Sequence, residues 1–506
     1  MLDPDKTTIV SGCPGSGKTT KLLSLVEEEL SRGTPPDKIA YLSFTRAAQN
    51  EAISRAVQRF SLQRSDLPFF RTLHSLGFHT LGMTKEQVLN NSKTELIDGL
   101  ADYLNVPLSG ISSDEESWQG AKTGDRLLHL YNLSRTREVP LRQQYEESDE
   151  DFHWAELRRL AEGVRAYKAS NDLYDYVDML SMFCEGASTP SVDVVFVDEA
   201  QDLSSLQWRA VSKLAGAARQ VVVAGDDDQG IFEWAGASVD RFARLKGTEI
   251  PLHKSHRVPR AVQQEAAAII EQVPFRRKKT WEPRACEGSV YNELDFSAID
   301  LSCGEWLVLA RNKRFLKRAE DHLQNSGLLY ERQGKSSLGS QAAIKAWTRL
   351  TRGESITRGH ALKCYRQMKP GSGFVEGADR DLAAADSDRR FSLEDLRAEF
   401  GLLATGNWYD ALDHLTLERR TYLRAAGRRG ERLGGAARVK LETIHSAKGR
   451  EADNVVVFLD LAPRTHRQML RYPEAEHRVF YVGATRAKEN LYFVRARNVR
   501  RMYPLH

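Results

Sequence analysis

The chain has 506 residues, 41% of them apolar, with 73 basic and 69 acidic side chains and a net charge of +4. That size and apolar content imply about two to four globular domains and exclude wholesale disorder. No apolar run reaches the ~18 residues of a membrane span, no secretory leader is expected, and net charge alone gives little argument for a polyanion partner.

Five cysteines, Cys13, Cys184, Cys286, Cys303 and Cys364, are scattered without CxxC spacing. This argues against a zinc site or a disulfide framework and for a reducing cytoplasm. An apolar run, Thr7–Val10, leads into Gly12-Cys13-Pro14-Gly15-Ser16-Gly17-Lys18-Thr19, and a helical stretch, Thr20–Leu30, follows. Strand, glycine loop and helix N-terminus make the phosphate cradle G-x-x-x-x-G-K-[ST]. Backbone N–H groups of such a loop face anionic oxygens, with the helix dipole behind them. Gly12, Pro14, Gly15, Ser16, Gly17, Lys18, Thr19 and Thr20 are therefore the candidate nucleotide-binding residues. Lys18 is expected to reach the β- and γ-phosphates, and Thr19 to hold Mg2+.

Lys38–Phe44 reads as the next buried strand. From Leu81 to Met182 the periodicity is helical, too long for a loop, and predicts a mostly helical insertion. Inside it lies an acidic run, Glu146-Glu147-Ser148-Asp149-Glu150-Asp151. The strand Val192–Val197 then ends in Asp198-Glu199-Ala200-Gln201-Asp202. Asp198 can hold Mg2+ through water, and Glu199 can act as general base on an attacking water. After the strand Gln220–Ala224 comes Gly225-Asp226-Asp227-Asp228-Gln229, with Trp234 shortly beyond. Gln229 is placed to sense a γ-phosphate or position water. Trp234 offers a π-face on which a nucleobase could stack, worth about 1–3 kcal/mol per base; taken alone, such a residue reads as core.

A second alternating block begins near Pro251, with strands expected at Trp306–Ala310, Val439–Thr443, Asn454–Leu459 and Asn490–Val494. Between Lys335 and Ala437 strand signals fade, predicting a second insertion. Two basic clusters stand out: Arg276-Arg277-Lys278-Lys279, and a run through Arg419, Arg420, Arg424, Arg428, Arg429, Arg432, Arg438 and Lys440. Taken singly they read as solvated faces; beside triphosphate motifs they are candidates for a phosphate-backbone track. The expected division is 1–80 with 183–250 as a first α/β unit, 81–182 inserted in it, 251–334 with 438–506 as a second, and 335–437 inserted there.

The ordered motifs resemble a superfamily 1 helicase of the UvrD/Rep type. They are the loop Gly12–Thr19, Leu42–Ala48, Arg71–Gly77, Asp198–Asp202, Gly225–Gln229 with Trp234-x-Gly236-Ala237, Ser255-His256-Arg257, Thr443–Glu451, and Tyr481–Ala487. The resemblance implies an α/β fold of two RecA-like P-loop NTPase domains with parallel sheets, each carrying a helical insertion, and ATP with Mg2+ between them. Lys18, Asp198, Glu199, Gln229, Arg257 and Arg486 would be catalytic, the two arginines reaching the γ-phosphate from the second domain. Thr19 and Asp198 would hold the metal, and Glu451 would contact the ribose. Phe44, Thr45, Arg46, Thr72, His74, Trp234, His445 and Ser446 would face single-stranded DNA.

Some positions depart from the family pattern. His256 stands where tyrosine is common and would, as a nucleotide-binding residue, stack on the base more weakly; Ala235 follows Trp234 where arginine is common, and no LNxxQ-like run precedes the loop. The implied activity is ATP-driven, 3′-to-5′ unwinding of DNA by a cytoplasmic monomer acting at single-strand/duplex junctions in repair or replication. Two alternatives remain open at this point: a translocase that displaces proteins with little unwinding, and a nucleotide-gated DNA-binding protein without hydrolysis.

Overall fold

The computed structural model describes the chain except residues 1, 44–45, 90–93, 110–121, 187, 338, 340, 432–436 and 506. The N-terminal unit is built on a six-stranded sheet: β1 (Thr7–Gly12), β2 (Ile39–Ser43), β3 (Phe70–Thr72), β4 (Val194–Val197), β5 (Gln220–Gly225) and β6 (Thr248–Leu252). The spatial order is β3-β2-β4-β5-β1-β6, and every pairing is parallel. The strands are continuous apolar runs because helices cover both faces. In β4, Val195 and Val197 pack into one core with Leu206, Val211 and Phe242, while Val194 and Phe196 pack into another with Leu22, Val26 and Ile53. β6 keeps Pro251 because it pairs only with β1 and lies at the sheet edge.

The C-terminal unit has seven strands: β7 (Ser289–Glu293), β8 (Trp306–Ala310), β9 (Tyr330–Arg332), β10 (Lys335–Ser336), β13 (Val439–Thr443), β14 (Ala452–Phe458) and β15 (Ala487–Val494); β11 (Ile356–Thr357) and β12 (Arg390–Phe391) form a separate antiparallel pair. The order is β10-β9-β13-β8-β14-β15-β7, parallel except for the β10–β9 hairpin. Alternation along β8 sends Trp306, Val308 and Ala310 to one core and Leu307 and Leu309 to the other.

The strand expected at Val439–Thr443 has the predicted bounds, as does Trp306–Ala310. The residues expected as a first insertion carry helices Thr94–Leu104, Thr123–Arg137, Leu141–Glu146, Trp154–Ser170 and Tyr176–Glu185. Most of them share a core of their own around Leu100, Leu128, Leu157 and Leu160. Residues 335–437 behave differently: Trp347, Tyr365, Phe391 and Leu423 pack into the same core as Val308 and Leu441 of the C-terminal sheet.

Candidate nucleotide cleft and nucleic-acid groove

β1 ends in the glycine loop, and helix Lys18–Ser31 begins directly after it. Gly15 and Gly17 both have positive φ, 72° and 81°, which an L side chain rarely adopts. A Cβ at Gly15 would also lie 2.5 Å from the Arg257 Cβ. The C-terminal unit's connecting strap closes on this loop: Ser255 Oγ donates to the Pro14 carbonyl (2.7 Å), and the His256 N–H donates to the Gly15 carbonyl (2.9 Å). The His256 ring is exposed.

A cleft of about 530 Å³ lies between the units, lined by Gly15–Thr20, Asp198, Glu199, Asp202, Gln229, Arg257, His445, Ser446, Lys448 and Arg486. Thr19 Oγ1 donates to Asp198 Oδ2 (2.9 Å), and Tyr41 donates to the same oxygen (2.9 Å). Burial, and then the neighbouring Glu199 carboxylate, push the Asp198 carboxyl up to about 6. Glu199 follows the strand with φ 51°, in the left-handed region. That conformation costs on the order of 1–3 kcal/mol and is typical of functional positions. Burial works to raise the Glu199 carboxyl, but Lys448, Lys18 and Arg486 hold it below its ordinary value.

The second lip of the cleft belongs to the C-terminal unit. Helix Pro473–Ala484 is buried from Glu476 onward and delivers Arg486 to the cleft. Its guanidinium donates to Gln229 Oε1 (2.8 Å) and to the Val482 carbonyl (2.9 Å). Burial, with Arg257 nearby, lowers the Arg486 guanidinium to about 9. Arg257 instead pairs with Glu451 (2.5 Å), which also takes Lys488 at 3.3 Å. Glu451, Gly12, Pro14 and His256 do not line the cleft.

The residues fit an anionic, metal-bound ligand. The Ser16 hydroxyl is buried without a hydrogen-bond partner. Lys18 Nζ donates to the Gly12 and Cys13 carbonyls (3.1 and 3.2 Å). Among the described residues no carboxylate lies within ion-pair distance of Lys18 or Arg486. Only carboxylates beyond ion-pair distance, Glu199 among them, offset these buried charges, and a bound anion would add close compensation. A hydroxyl and a carboxylate side by side are the hard oxygen donors that Mg2+ takes.

Lys448 was not singled out by sequence. Its Nζ pairs with the buried Asp202, donates to the Gln229 carbonyl (2.7 Å) and lies 3.7 Å from Glu199. Burial, which Lys448 only partly offsets and to which Glu199 adds a smaller repulsion, raises the Asp202 carboxyl to about 7. Gln201 was likewise missed, and donates to Glu199 Oε2 (2.6 Å). Both lie inside quoted motifs, so the motifs were the available signal.

A second groove, of about 250 Å³, is lined by His129, Leu130, Leu133, Trp234, His445 and residues from both units. Trp234 is half-buried; His129 stacks beside it (6.3 Å between ring centroids) and His445 meets it edge-on (6.5 Å). The Trp234 Nε1–H has no partner. His445 lines both this groove and the nucleotide cleft. His74 is elsewhere, in a cavity with Thr136, Asp202, Ser204 and Ala235, where burial lowers its imidazole to about 4. Thr72 caps helix Leu73–Thr80 by accepting from the Ser75 N–H. Ser446 is exposed and lines the cleft. Phe44, Thr45 and the Arg46 side chain lie outside the described residues.

The basic clusters differ from their surface reading. Arg276, Arg277 and Lys279 are turned inward on Asp228, Glu249 and the Asp226–Asp228 turn, leaving Lys278 exposed. In the second run Arg419 bonds the Ser337 carbonyl, Arg420 the Tyr409 carbonyl, and Arg424 lies 4.1 Å from the Tyr409 ring centre. Arg438 pairs with Glu431, while Arg428 and Arg429 are exposed; Arg432 lies outside the described residues. The acidic run also has partners: Glu150 pairs with Arg126 and Arg464, and Asp149 with Arg471.

A glycine loop, an acidic strand end and an arginine from a second α/β unit define a two-unit P-loop nucleotide-binding protein. The UvrD/REP helicase N-terminal domain model matches residues 1–248, and the UvrD-like helicase C-terminal domain model matches residues 412–498. The chain belongs to the UvrD/Rep-type superfamily 1 helicase family, whose two RecA-like domains are the two units. It is 25% identical over 300 residues to a probable DNA helicase II homolog of Mycoplasma capricolum, covering 55% of this chain and 41% of that protein. Against DNA helicase II of Escherichia coli it is 25% identical, covering 58% and 43%. Against F-box DNA helicase protein 1 of Schizosaccharomyces pombe it is 23% identical, covering 97% and 56%. The chain thus spans about half the length of the curated relatives it matches. Among the described residues no helix is long and apolar enough to cross a membrane.

Proposed function

We propose that the protein is an ATP-dependent DNA helicase that steps 3′ to 5′ along single-stranded DNA and opens duplex at a junction, acting as a cytoplasmic monomer. The observation that carries this is the Arg486–Gln229 hydrogen bond, made across the cleft beside Lys18, Asp198 and Glu199. It joins the chemistry of one unit to the position of the other. The relatives named as DNA helicases support nucleic acid as the second ligand.

In this reading Lys18 and the loop amides bind the triphosphate. Thr19 and Asp198 would hold Mg2+, which neutralises phosphate charge when bound; Tyr41 fixes the Asp198 carboxylate. Glu199 takes a proton from water as the water oxygen attacks the γ-phosphorus and the bond to ADP breaks. Arg486, with Arg257 released from Glu451, stabilises charge on the transferring group. Loss of the γ-phosphate then frees Arg486, and the units can separate. His445, between the cleft and the Trp234 groove, is the contact through which that motion reaches a stacked base.

The test is DNA-stimulated ATP hydrolysis and unwinding of 3′-tailed against 5′-tailed duplexes. Wild type should hydrolyse ATP with single-stranded DNA and unwind only the 3′-tailed substrate; Glu199→Gln should abolish turnover while retaining nucleotide binding. No turnover with DNA defeats the proposal, and unwinding of the 5′-tailed substrate alone defeats its polarity.

A further inference from the structure

The turn after β5 holds three consecutive carboxylates, Asp226, Asp227 and Asp228, each 2% exposed or less. Three buried adjacent anions cannot stay ionised without compensation. Most of the compensation comes from the segment that follows helix Arg260–Ile270. Lys279 Nζ contacts Asp226 Oδ1 and lies 2.6 Å from Asp227 Oδ1 and 3.1 Å from Asp228 Oδ2. Arg276 adds a bond to Asp228 (3.0 Å), and the Arg277 N–H donates to Asp227 (2.6 Å).

Asp226 has a second partner. Its other oxygen, Oδ2, accepts from Gln229 Nε2 (2.6 Å), while Gln229 Oε1 accepts from Arg486 (2.8 Å). The two ends of a glutamine amide have nearly the same shape, so the partners decide which way it faces. An ionised Asp226 accepts only, and so demands the NH2 end. A protonated Asp226 could donate, and would tolerate the reversed amide with its NH2 pointed at the Arg486 guanidinium. Burial works to protonate Asp226, yet Lys279 and then Lys18 hold its carboxyl below the ordinary value.

We propose that Lys279 is a positioning residue for hydrolysis: inserted among Asp226, Asp227 and Asp228, its ammonium keeps Asp226 an acceptor and so orients the Gln229 amide toward Arg486. Lys279 lies on the segment that joins the two units, where its neighbour Arg277 is bonded to Glu249 and to the Phe242 carbonyl of the N-terminal unit. The inference rests on the proposed function for its kinetic consequence, though not for its structural one.

The full chain is assayed for DNA-stimulated ATP hydrolysis. Lys279→Met should lower kcat about tenfold or more, with KM for ATP and single-strand affinity within about twofold. Lys279→Arg should recover most of that loss. In Gln229→Ala/Lys279→Met the loss should be no greater than in Gln229→Ala alone, as expected for residues acting in one chain of contacts. If Lys279→Met does not fold, Asp227→Asn/Lys279→Met, with less unbalanced charge, takes its place. A kcat within about twofold of wild type, or losses that multiply in the double variant, overturns the proposal. So does a joint fall of kcat, affinity and melting temperature that Lys279→Arg fails to rescue. Hydrogen exchange at the Asp226–Gly230 amides in the ligand-free chain separates this idea from the activity. Exchange should quicken in Lys279→Met and not in Lys279→Arg; unchanged exchange overturns the inference whether or not the chain hydrolyses ATP. Absent wild-type turnover with quickened exchange overturns only the helicase reading.

Discussion

Replacing Arg486 with methionine should make the ligand-free protein more stable and catalytically dead. Arg486 is 2% exposed, and burial, with Arg257 nearby, lowers its guanidinium from its ordinary value to about 9. At about 1.36 kcal/mol per pH unit, the charged form is disfavoured by roughly 5 kcal/mol. Methionine removes that cost and refills most of the volume. It also leaves Gln229 Oε1 and the Val482 carbonyl without this donor, which offsets roughly 1–3 kcal/mol. The expected net gain is roughly 2–4 kcal/mol in urea unfolding at neutral pH. A cation with a lowered folded-state value is destabilising in full below that value and relieved above it. The wild-type deficit relative to Arg486→Met should therefore persist below pH 9 and shrink as pH rises beyond it. In the proposed reaction the same guanidinium would face the transferring phosphate, where an arginine contributes about 10³–10⁵ in rate. DNA-stimulated kcat should fall by about that factor. A variant that is less stable by several kcal/mol, or one that retains turnover, would refute the reasoning.

Three further outcomes are expected. Asp202, raised to about 7 by burial, should cost wild type stability relative to Asp202→Asn as pH rises from about 4 to about 7, by roughly 4 kcal/mol in total; equal urea midpoints for the pair at pH 5 and pH 8 would contradict this. Trp234→Ala should weaken single-strand affinity by about 1–3 kcal/mol, read by fluorescence anisotropy, with KM for ATP unchanged; a change below about twofold would remove Trp234 from the track. Arg428→Ala/Arg429→Ala, altering the two exposed arginines of the second basic run, should lower the slope of log affinity against log salt by about 2, and an unchanged slope would exclude them as phosphate contacts.

The buried framework was legible because its strands are apolar runs covered on both faces. β8 and β13 have their expected ends for that reason. The strands that escaped sequence reading are edge or short ones. β6 is mostly exposed and carries Pro251, and β10 has two residues. The nucleotide residues were legible where a motif fixes backbone geometry, as in the glycine loop. Roles set by the opposite unit were not. Nothing in Arg276-Arg277-Lys278-Lys279 distinguishes a cation that meets DNA phosphate from one that meets Asp226 some fifty positions earlier. Likewise, nothing in Glu451 announces that its carboxylate pairs with Arg257.

Beside the apolar packing of Ile231 into the C-terminal core, several contacts between the units share a chemistry that suits a cycle. Ser255 with Pro14, Lys448 with Asp202, Arg486 with Gln229 and Arg478 with Glu233 are all polar. A polar contact can be exchanged for phosphate or water at a net difference of about 0.5–1.5 kcal/mol each. Several together can therefore hold two units in register without locking them. Arg486 is the exception in sign, since its burial disfavours its charge. A ligand shifts such an equilibrium only by its differential affinity for the two states. In the proposed cycle, a triphosphate that compensates Arg486 and Lys18 together would bind the closed state better than an open one, and loss of its terminal phosphate would remove that compensation. On that proposal the burial of Arg486 is what would make hydrolysis a signal to open, and Arg486→Met should leave the closed state populated whether or not nucleotide is bound. Small-angle scattering should then give one radius of gyration for that variant with and without ATP; two distinct radii would show that another group supplies the switch.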